Sequence, residues 1–431
     1  MPAAHTLDVS SQFLDSKLAD SFHSTMAQGL VGSEILKIAA DIRALKASGR
    51  ELCNLTVGDF DPAQFRPPEQ LVAGIGQALA RGQTNYPPSD GLPELRKAVQ
   101  GYCQREMGLV YPLDGILIAG GARPIIFGAY GTVIDPDDTV IYTVPSWNNN
   151  HYCHMVGAKG VALPVSREHN FFPTVSDLKP HLSVARLLVI NSPLNPTGTA
   201  IAPKALAEIT EALVAENHRR EPLGQKPLFM LYDQVYWALT FGHTKHVTPV
   251  ELVPKSAPYV IMLDAISKTL AATGLRVGWA LAAPPLIARM RDYLGHVGAW
   301  APKPEQVATA EFLDDTTARH VWQAQFSAQI KERLDAVYSG FAAMQRNGLP
   351  VECIEPQGAI YLSARFDLIG TRFSKNEEIR RFVLDQAGVG IVPFQAFGLK
   401  DETGWFRLSV GAVSVKEIQA MFPRLQAALA T

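Results

Sequence analysis

Ser267-Lys268-Thr-Leu-Ala-Ala-Thr-Gly274-Leu-Arg276 follows the apolar run YVIMLD, so a lysine leaves the end of a strand with an arginine close behind it. In a dry pocket a lysine loses part of its preference for the ammonium form, and the free amine is nucleophilic enough to bond to an aldehyde. A solvated loop lysine is the competing reading of any lone Ser-Lys pair; Gly274 and Arg276 at this spacing weigh against it. Four further segments sit after apolar runs. Gly120-Gly121-Ala122-Arg123 joins the strand GILI to the helix PIIFGAYGTVI, and backbone N–H groups at a helix start, approached closely through glycines, make an anion cradle. Asn191-Ser-Pro-Leu-Asn195-Pro-Thr-Gly198 is a rigid turn after LLVI. Asp233-Gln-Val-Tyr236 closes LFMLY, although D-x-x-Y alone is too common to carry meaning. Trp147, in Pro-Ser-Trp, follows TVIYTVP and is either a core tryptophan or a flat wall for a ring.

Together these segments resemble the pyridoxal-phosphate (PLP) aminotransferases of the aspartate-aminotransferase-like family, class I/II and fold type I, whose signature is S-K-x-x-x-x-x-G-x-R. The resemblance implies that Lys268 is the Schiff-base lysine and proton shuttle, and that Arg276 meets the cofactor phosphate beside Gly121, Ala122, Arg123 and Ser267. It implies that Asp233 keeps the pyridine nitrogen protonated, so that the ring accepts the electrons released at the substrate Cα. Tyr236 and Asn195 would hold the phenolic oxygen, and Trp147 would stack on the ring. Gly58, in Leu-Thr-Val-Gly58-Asp-Phe-Asp, and Arg407, in Trp405-Phe-Arg407-Leu-Ser, match the segments that meet the substrate carboxylate, with Asn195 beside them. A guanidinium offers a carboxylate two parallel donors. Tyr86, in Asn-Tyr-Pro-Pro-Ser-Asp-Gly, matches the tyrosine that reaches the neighbouring subunit's cofactor phosphate, which implies a homodimer with shared active sites. Three departures stand out: Asn150 where the family usually has tyrosine, a displaced proline after Gly58, and Arg123 where a neutral polar residue is common.

Positioning such residues requires a scaffold of strands with exposed carboxyl ends. From about 90 to 285, short β-rich apolar runs alternate with helical patterns, the mark of stacked βαβ units. Strands are expected at Gly115–Ala119, Thr139–Val144, Leu187–Ile190, Leu228–Tyr232, Tyr259–Leu263 and Val277–Leu281. They are too apolar for one solvated face, so the fold class is α/β, a mostly parallel sheet covered by helices on both sides. Helices are expected at Glu94–Glu106 and Pro203–Val214, the latter opened by proline. Beyond 300 come a long charged amphipathic stretch, Ala318–Gln345, and an α+β segment ending in the helix Val415–Leu429. The resemblance brings both chain ends together, giving a large PLP-binding domain over 66–320 and a smaller domain from 1–65 and 321–431.

With 431 residues, two domains are the natural prior. A formal charge of −2 argues against nucleic acid as a partner. Cys53, Cys103, Cys153 and Cys353 lack any metal-ligand spacing, so no metal is expected, and free thiols in a reducing, cytoplasmic setting are. The first residues show no apolar run of the kind a signal peptide or membrane span needs.

The expected activity is transfer of an amino group from an L-amino acid to a 2-oxo acid by a ping-pong cycle. A β-eliminating lyase on the same scaffold is the alternative, because reaction choice lies in substrate-side residues. A PLP-binding regulatory domain without turnover is the remote one, and the segment before Gly58 shows no basic recognition-helix pattern. For the substrate side chain, Lys303 and Arg123 are candidates to meet a second carboxylate, while Trp300, Trp237 and Phe394 are candidates to line an apolar pocket.

Overall fold

A computed structural model of the protein describes residues 8–10, 23–32, 51–430 and scattered positions between 38 and 49. Much of the N-terminal segment discussed above therefore lies outside the described residues. Strands run in chain order as β1 (Cys53–Asn54), β2 (Ile116–Ala119), β3 (Thr139–Val144), β4 (Lys159–Pro164), β5 (Ala185–Asn191), β6 (Phe229–Asp233), β7 (Val260–Ala265), β8 (Gly278–Leu281), β9 (Val351–Cys353), β10 (Tyr361–Phe366), β11 (Val389–Gly390), β12 (Val392–Pro393) and β13 (Trp405–Ser409).

The main sheet has the order β2-β8-β7-β6-β5-β3-β4. Only β8 runs against the rest, so the carboxyl ends of β2, β3, β5, β6 and β7 all emerge at one edge. The central strands are buried on both faces; every residue of β7 is buried, as double helical cover demands. All six expected strands are present within two residues. The seventh, β4, is a largely exposed edge strand whose apolar run, Val161–Leu163, is short and bracketed by Gly160 and Pro164, so nothing in the sequence marked it as a strand.

Pro93–Met107 buries Leu95, Val99 and Tyr102 and stops at Gly108, whose left-handed backbone (φ 68°) suits glycine. Pro203–Arg220 runs six residues past the expected end, and Thr316–Arg346 covers the long charged stretch. A second sheet, β12-β13-β10-β9, is antiparallel throughout, and the pair β1-β11 joins Cys53–Asn54 to Val389–Gly390, far apart in sequence. No helix among the described residues is long and apolar enough to cross a membrane.

Candidate active site

The carboxyl edge of the main sheet gathers the residues singled out by type. Asn191 pairs with Asp233, and Asp233 with Leu263, so the ends of β5, β6 and β7 stand side by side. The turn after β5 is fixed by its own polar groups: Asn191 Nδ2 donates to the Asp233 carbonyl at 2.9 Å, and Asn195 N donates to Asn191 Oδ1 at 2.9 Å. Gly198 (φ 71°) closes it. A Cβ there would stand 2.0 Å from the Tyr361 carbonyl oxygen, so the turn and β10 touch backbone to backbone.

Lys268 lies on the short helix Ile266–Thr269 that follows β7, next to buried Ser267. Its Nζ donates to the Gly58 carbonyl at 2.8 Å and lies 5.5 Å from the Phe60 ring centroid and 5.9 Å from that of Tyr236. Burial lowers its pKa to about 8, with Arg407, Arg123 and Arg276 adding to the effect and Asp59 opposing it. Asp233 is pushed the other way, up to about 6 by burial, and among the described residues its carboxylate accepts only the Val235 N–H, at 3.1 Å. A half-satisfied carboxylate in a dry site favours a cationic N–H partner.

The small sheet supplies the opposite wall. Ser363 is directly across from Arg407 and Tyr361 across from Ser409, so the pleat puts all four on one face. That face is polar and buried, and it docks on the loops: Ser363 Oγ donates to the Thr197 carbonyl at 2.8 Å and Ser409 Oγ to that of Val57 at 2.5 Å. Arg407 Nη2 donates to the Thr56 carbonyl at 2.6 Å, and Nη1 to Asn195 Oδ1 at 3.2 Å, which leaves the Asn195 amide NH2 free to donate elsewhere. Arg407 Nε is buried with no partner among the described residues, a donor awaiting an acceptor. A Cβ on Gly58 would come within 3.0 Å of the Tyr361 hydroxyl and 3.3 Å of Arg407 Nη1, so glycine keeps the guanidinium accessible.

PLP presents a phosphate, an aldehyde and a pyridine nitrogen, and the residues fit each. The helix Ala122–Val133 begins at Gly121 (φ 95°) with no side-chain cap, leaving first-turn N–H groups for an anion. Arg276 Nη2 reaches the Gly120 carbonyl at 3.1 Å; a Cβ on Gly121 would sit 2.2 Å from that nitrogen. Lys268 offers the amine and Asp233 the carboxylate. Trp147 is half-buried, with the Arg123 guanidinium 5.2 Å from its ring centroid, so Arg123 leans toward the tryptophan from an exposed position.

Other candidates fall outside this cluster. Tyr86 is 81% exposed, edge-on to Trp300 at 5.2 Å. Lys303 Nζ is held by Asn85 Oδ1 at 2.6 Å. Trp237 donates its indole N–H to buried Asp264 at 2.8 Å, and Phe394 is fully buried between Phe171 and Trp405, so both are committed to the interior. Tyr361, which reaches the Tyr236 hydroxyl at 2.7 Å, was not anticipated. The alternation in YLSARF, with Tyr361 and Ser363 on one face, was the signal available.

The model of the family "Aminotransferase class I and II" matches residues 50–425. The aspartate aminotransferase of Rhizobium meliloti (strain 1021) is 30% identical over 405 residues, 92% of this chain and 93% of that one. A probable aspartate/prephenate aminotransferase of Rhizobium leguminosarum bv. phaseoli is 29% identical, over 91% of this chain and 95% of its own. The crystal structure of the Rhizobium meliloti aspartate aminotransferase superimposes with a TM-score of 0.84 at 28% identity, covering 95% of this chain and 98% of that chain. With its mostly parallel sheet, its lysine after β7 and its matched length, the chain belongs to the class I and II aminotransferases, PLP-dependent enzymes that move an amino group from an amino acid to a 2-oxo acid.

Proposed function

We propose that this aminotransferase acts on dicarboxylic amino acids of the aspartate type, with Arg407 gripping the α-carboxylate and Arg123 meeting the second carboxylate. The observations that carry this are the buried Arg407 Nε with no partner among the described residues, beside Gly58 and Asn195, and the exposed Arg123 guanidinium 5.2 Å from the Trp147 ring centroid. The names of the relatives, aspartate and aspartate/prephenate aminotransferases, agree.

Bound PLP supplies the carbon that takes the amino group and a ring that accepts the electron pair released at the substrate Cα. The chain's own residues do the rest. Lys268, its pKa lowered to about 8 by burial, gives up its proton more readily than an ordinary lysine, so it can both take and return a proton at Cα. Asp233 holds the proton on the pyridine nitrogen. Asn195, steadied through its carbonyl by Arg407, turns its NH2 to the phenolic oxygen beside the Tyr236 hydroxyl. Gly121, Ala122, Arg276 and Ser267 seat the phosphate, and Trp147 covers the ring.

Changing Arg407 to lysine keeps the charge and loses the planar fork. With a charge-assisted hydrogen bond worth roughly 1.5–3 kcal/mol, kcat/KM should fall at least about tenfold for every amino acid, with PLP affinity unchanged. Arg123→Ala should lower kcat/KM for aspartate and glutamate by a similar factor and leave alanine within about twofold of wild type. Equal losses on all three substrates from Arg123→Ala, or a loss confined to dicarboxylic substrates from Arg407→Lys, would contradict the assignment.

The same proposal includes a homodimer, a cytoplasmic location and the two-domain division at 66–320 against 1–65 with 321–431. The exposed ring of Tyr86, edge-on to Trp300, supports a partner that covers it. Four free cysteines support a reducing compartment. The main sheet, built from 116–281, and the second sheet, built from 351–409, support the division.

A further inference from the structure

Tyr236 and Tyr361 come from different sheets, one just beyond β6 and the other opening β10, yet their hydroxyl oxygens stand 2.7 Å apart with both residues buried. Their rings meet edge to face at 5.5 Å. The face of the Tyr361 ring lies under the Arg407 guanidinium, 4.8 Å from the centroid, so the ring is clamped between the substrate-side cation and the second phenol. Among the described residues, the Tyr361 hydroxyl has Tyr236 as its one recorded hydrogen-bond partner. A phenol has a single proton to donate. If Tyr236 spends its proton on the cofactor's phenolic oxygen, the bond between the two tyrosines can persist only with Tyr361 as donor and Tyr236 as acceptor.

We propose that Tyr361 is a positioning residue for Tyr236: by donating to the Tyr236 oxygen it turns that hydroxyl's one proton toward the cofactor and strengthens it as a donor. This rests on the placement of Tyr236 at the cofactor's phenolic oxygen. Hydrogen bonds in a chain polarise one another, so the outer phenol is felt at the inner contact. A weaker donor at the phenolic oxygen leaves more negative charge there, and that charge favours the protonated form of the nearby nitrogen of Lys268. Loss of the Tyr361 hydroxyl should therefore move the titration of the bound cofactor to higher pH.

The test is a pH titration of cofactor absorbance in PLP-loaded wild type, Tyr361→Phe, Tyr236→Phe and the double variant. Tyr361→Phe removes one oxygen and keeps the ring beneath Arg407. Its midpoint should rise by roughly half a pH unit, the size expected for one neutral hydrogen bond acting at second hand. Tyr236→Phe should raise the midpoint further, and the double variant should match Tyr236→Phe, because the outer phenol acts only through the inner one. A Tyr361→Phe midpoint at the wild-type value, with Tyr236→Phe shifted, would overturn the relay while leaving Tyr236 in place, even if thermal stability fell. Additive shifts in the double variant would overturn it too. An unmoved Tyr236→Phe midpoint would overturn the placement of Tyr236 itself, and the proposal with it.

Discussion

Lys268→Ala should lower transamination at least about a thousandfold, because one amine acts both as the group that bonds to the cofactor and as the base that moves the Cα proton. PLP should still bind reversibly. The cradle at the start of Ala122–Val133, Arg276 and Asp233 do not depend on that side chain for their geometry: Arg276 is anchored by the Thr273 and Gly120 carbonyls at 2.6 and 3.1 Å, and Asp233 by the ladder of β6 and by the Val235 N–H. Borohydride treatment of the wild-type holoenzyme should attach the cofactor to the peptide carrying Lys268, and the same treatment of the variant should attach none. A label mapped to any other lysine, or a variant within tenfold of wild type, would contradict the assignment.

Asp233→Asn should reduce kcat by about a hundredfold to several thousandfold. Removing one partner of a buried charge pair costs roughly 3–5 kcal/mol, and here the pair holds the proton that makes the ring an electron acceptor. Asparagine is close in size, so the Val235 N–H contact and the turn at Asn191 and Ser192, which bond the Asp233 backbone carbonyl, should survive. Asn195→Ala removes one of two hydrogen bonds at the phenolic oxygen and should lose no more than about tenfold. Its effect should appear partly in KM, since Arg407 Nη1 loses the Asn195 carbonyl as well. Single-turnover rates on the two variants test the ranking, and comparable modest losses from both would reject the role given to Asp233.

The main sheet and the residues gathered at its carboxyl edge were legible because both are local in sequence. A strand buried on both faces reads as an unbroken apolar run, and residues at or just after its end come to the sheet's carboxyl edge, which is where Asp233, Asn195 and Lys268 stand. The strand β4 escaped because its apolar run, Val161–Leu163, is short and bracketed by glycine and proline, and β8 reads like its neighbours although it runs the other way. Side-chain partnerships were the least legible. Nothing near Trp237 in sequence announces Asp264, twenty-seven residues on, as the acceptor for its indole, and Tyr361 meets Tyr236 across 125 residues. Arg407 was found by its neighbours in sequence, but its second partner, the Thr56 carbonyl, needed the fold.

Amino-group transfer between an amino acid and a 2-oxo acid can be followed one half at a time. PLP-loaded enzyme mixed with L-aspartate and no oxo acid should release one equivalent of 2-oxo acid per active site and then stop. Ammonia should not appear, and adding a second 2-oxo acid should return the bound cofactor to its starting absorbance with formation of the matching amino acid. Failure to release that single equivalent, together with continued release of pyruvate and ammonia from an amino acid that carries a leaving group on Cβ, such as L-serine or L-cysteine, would mark an eliminating enzyme instead and contradict the account.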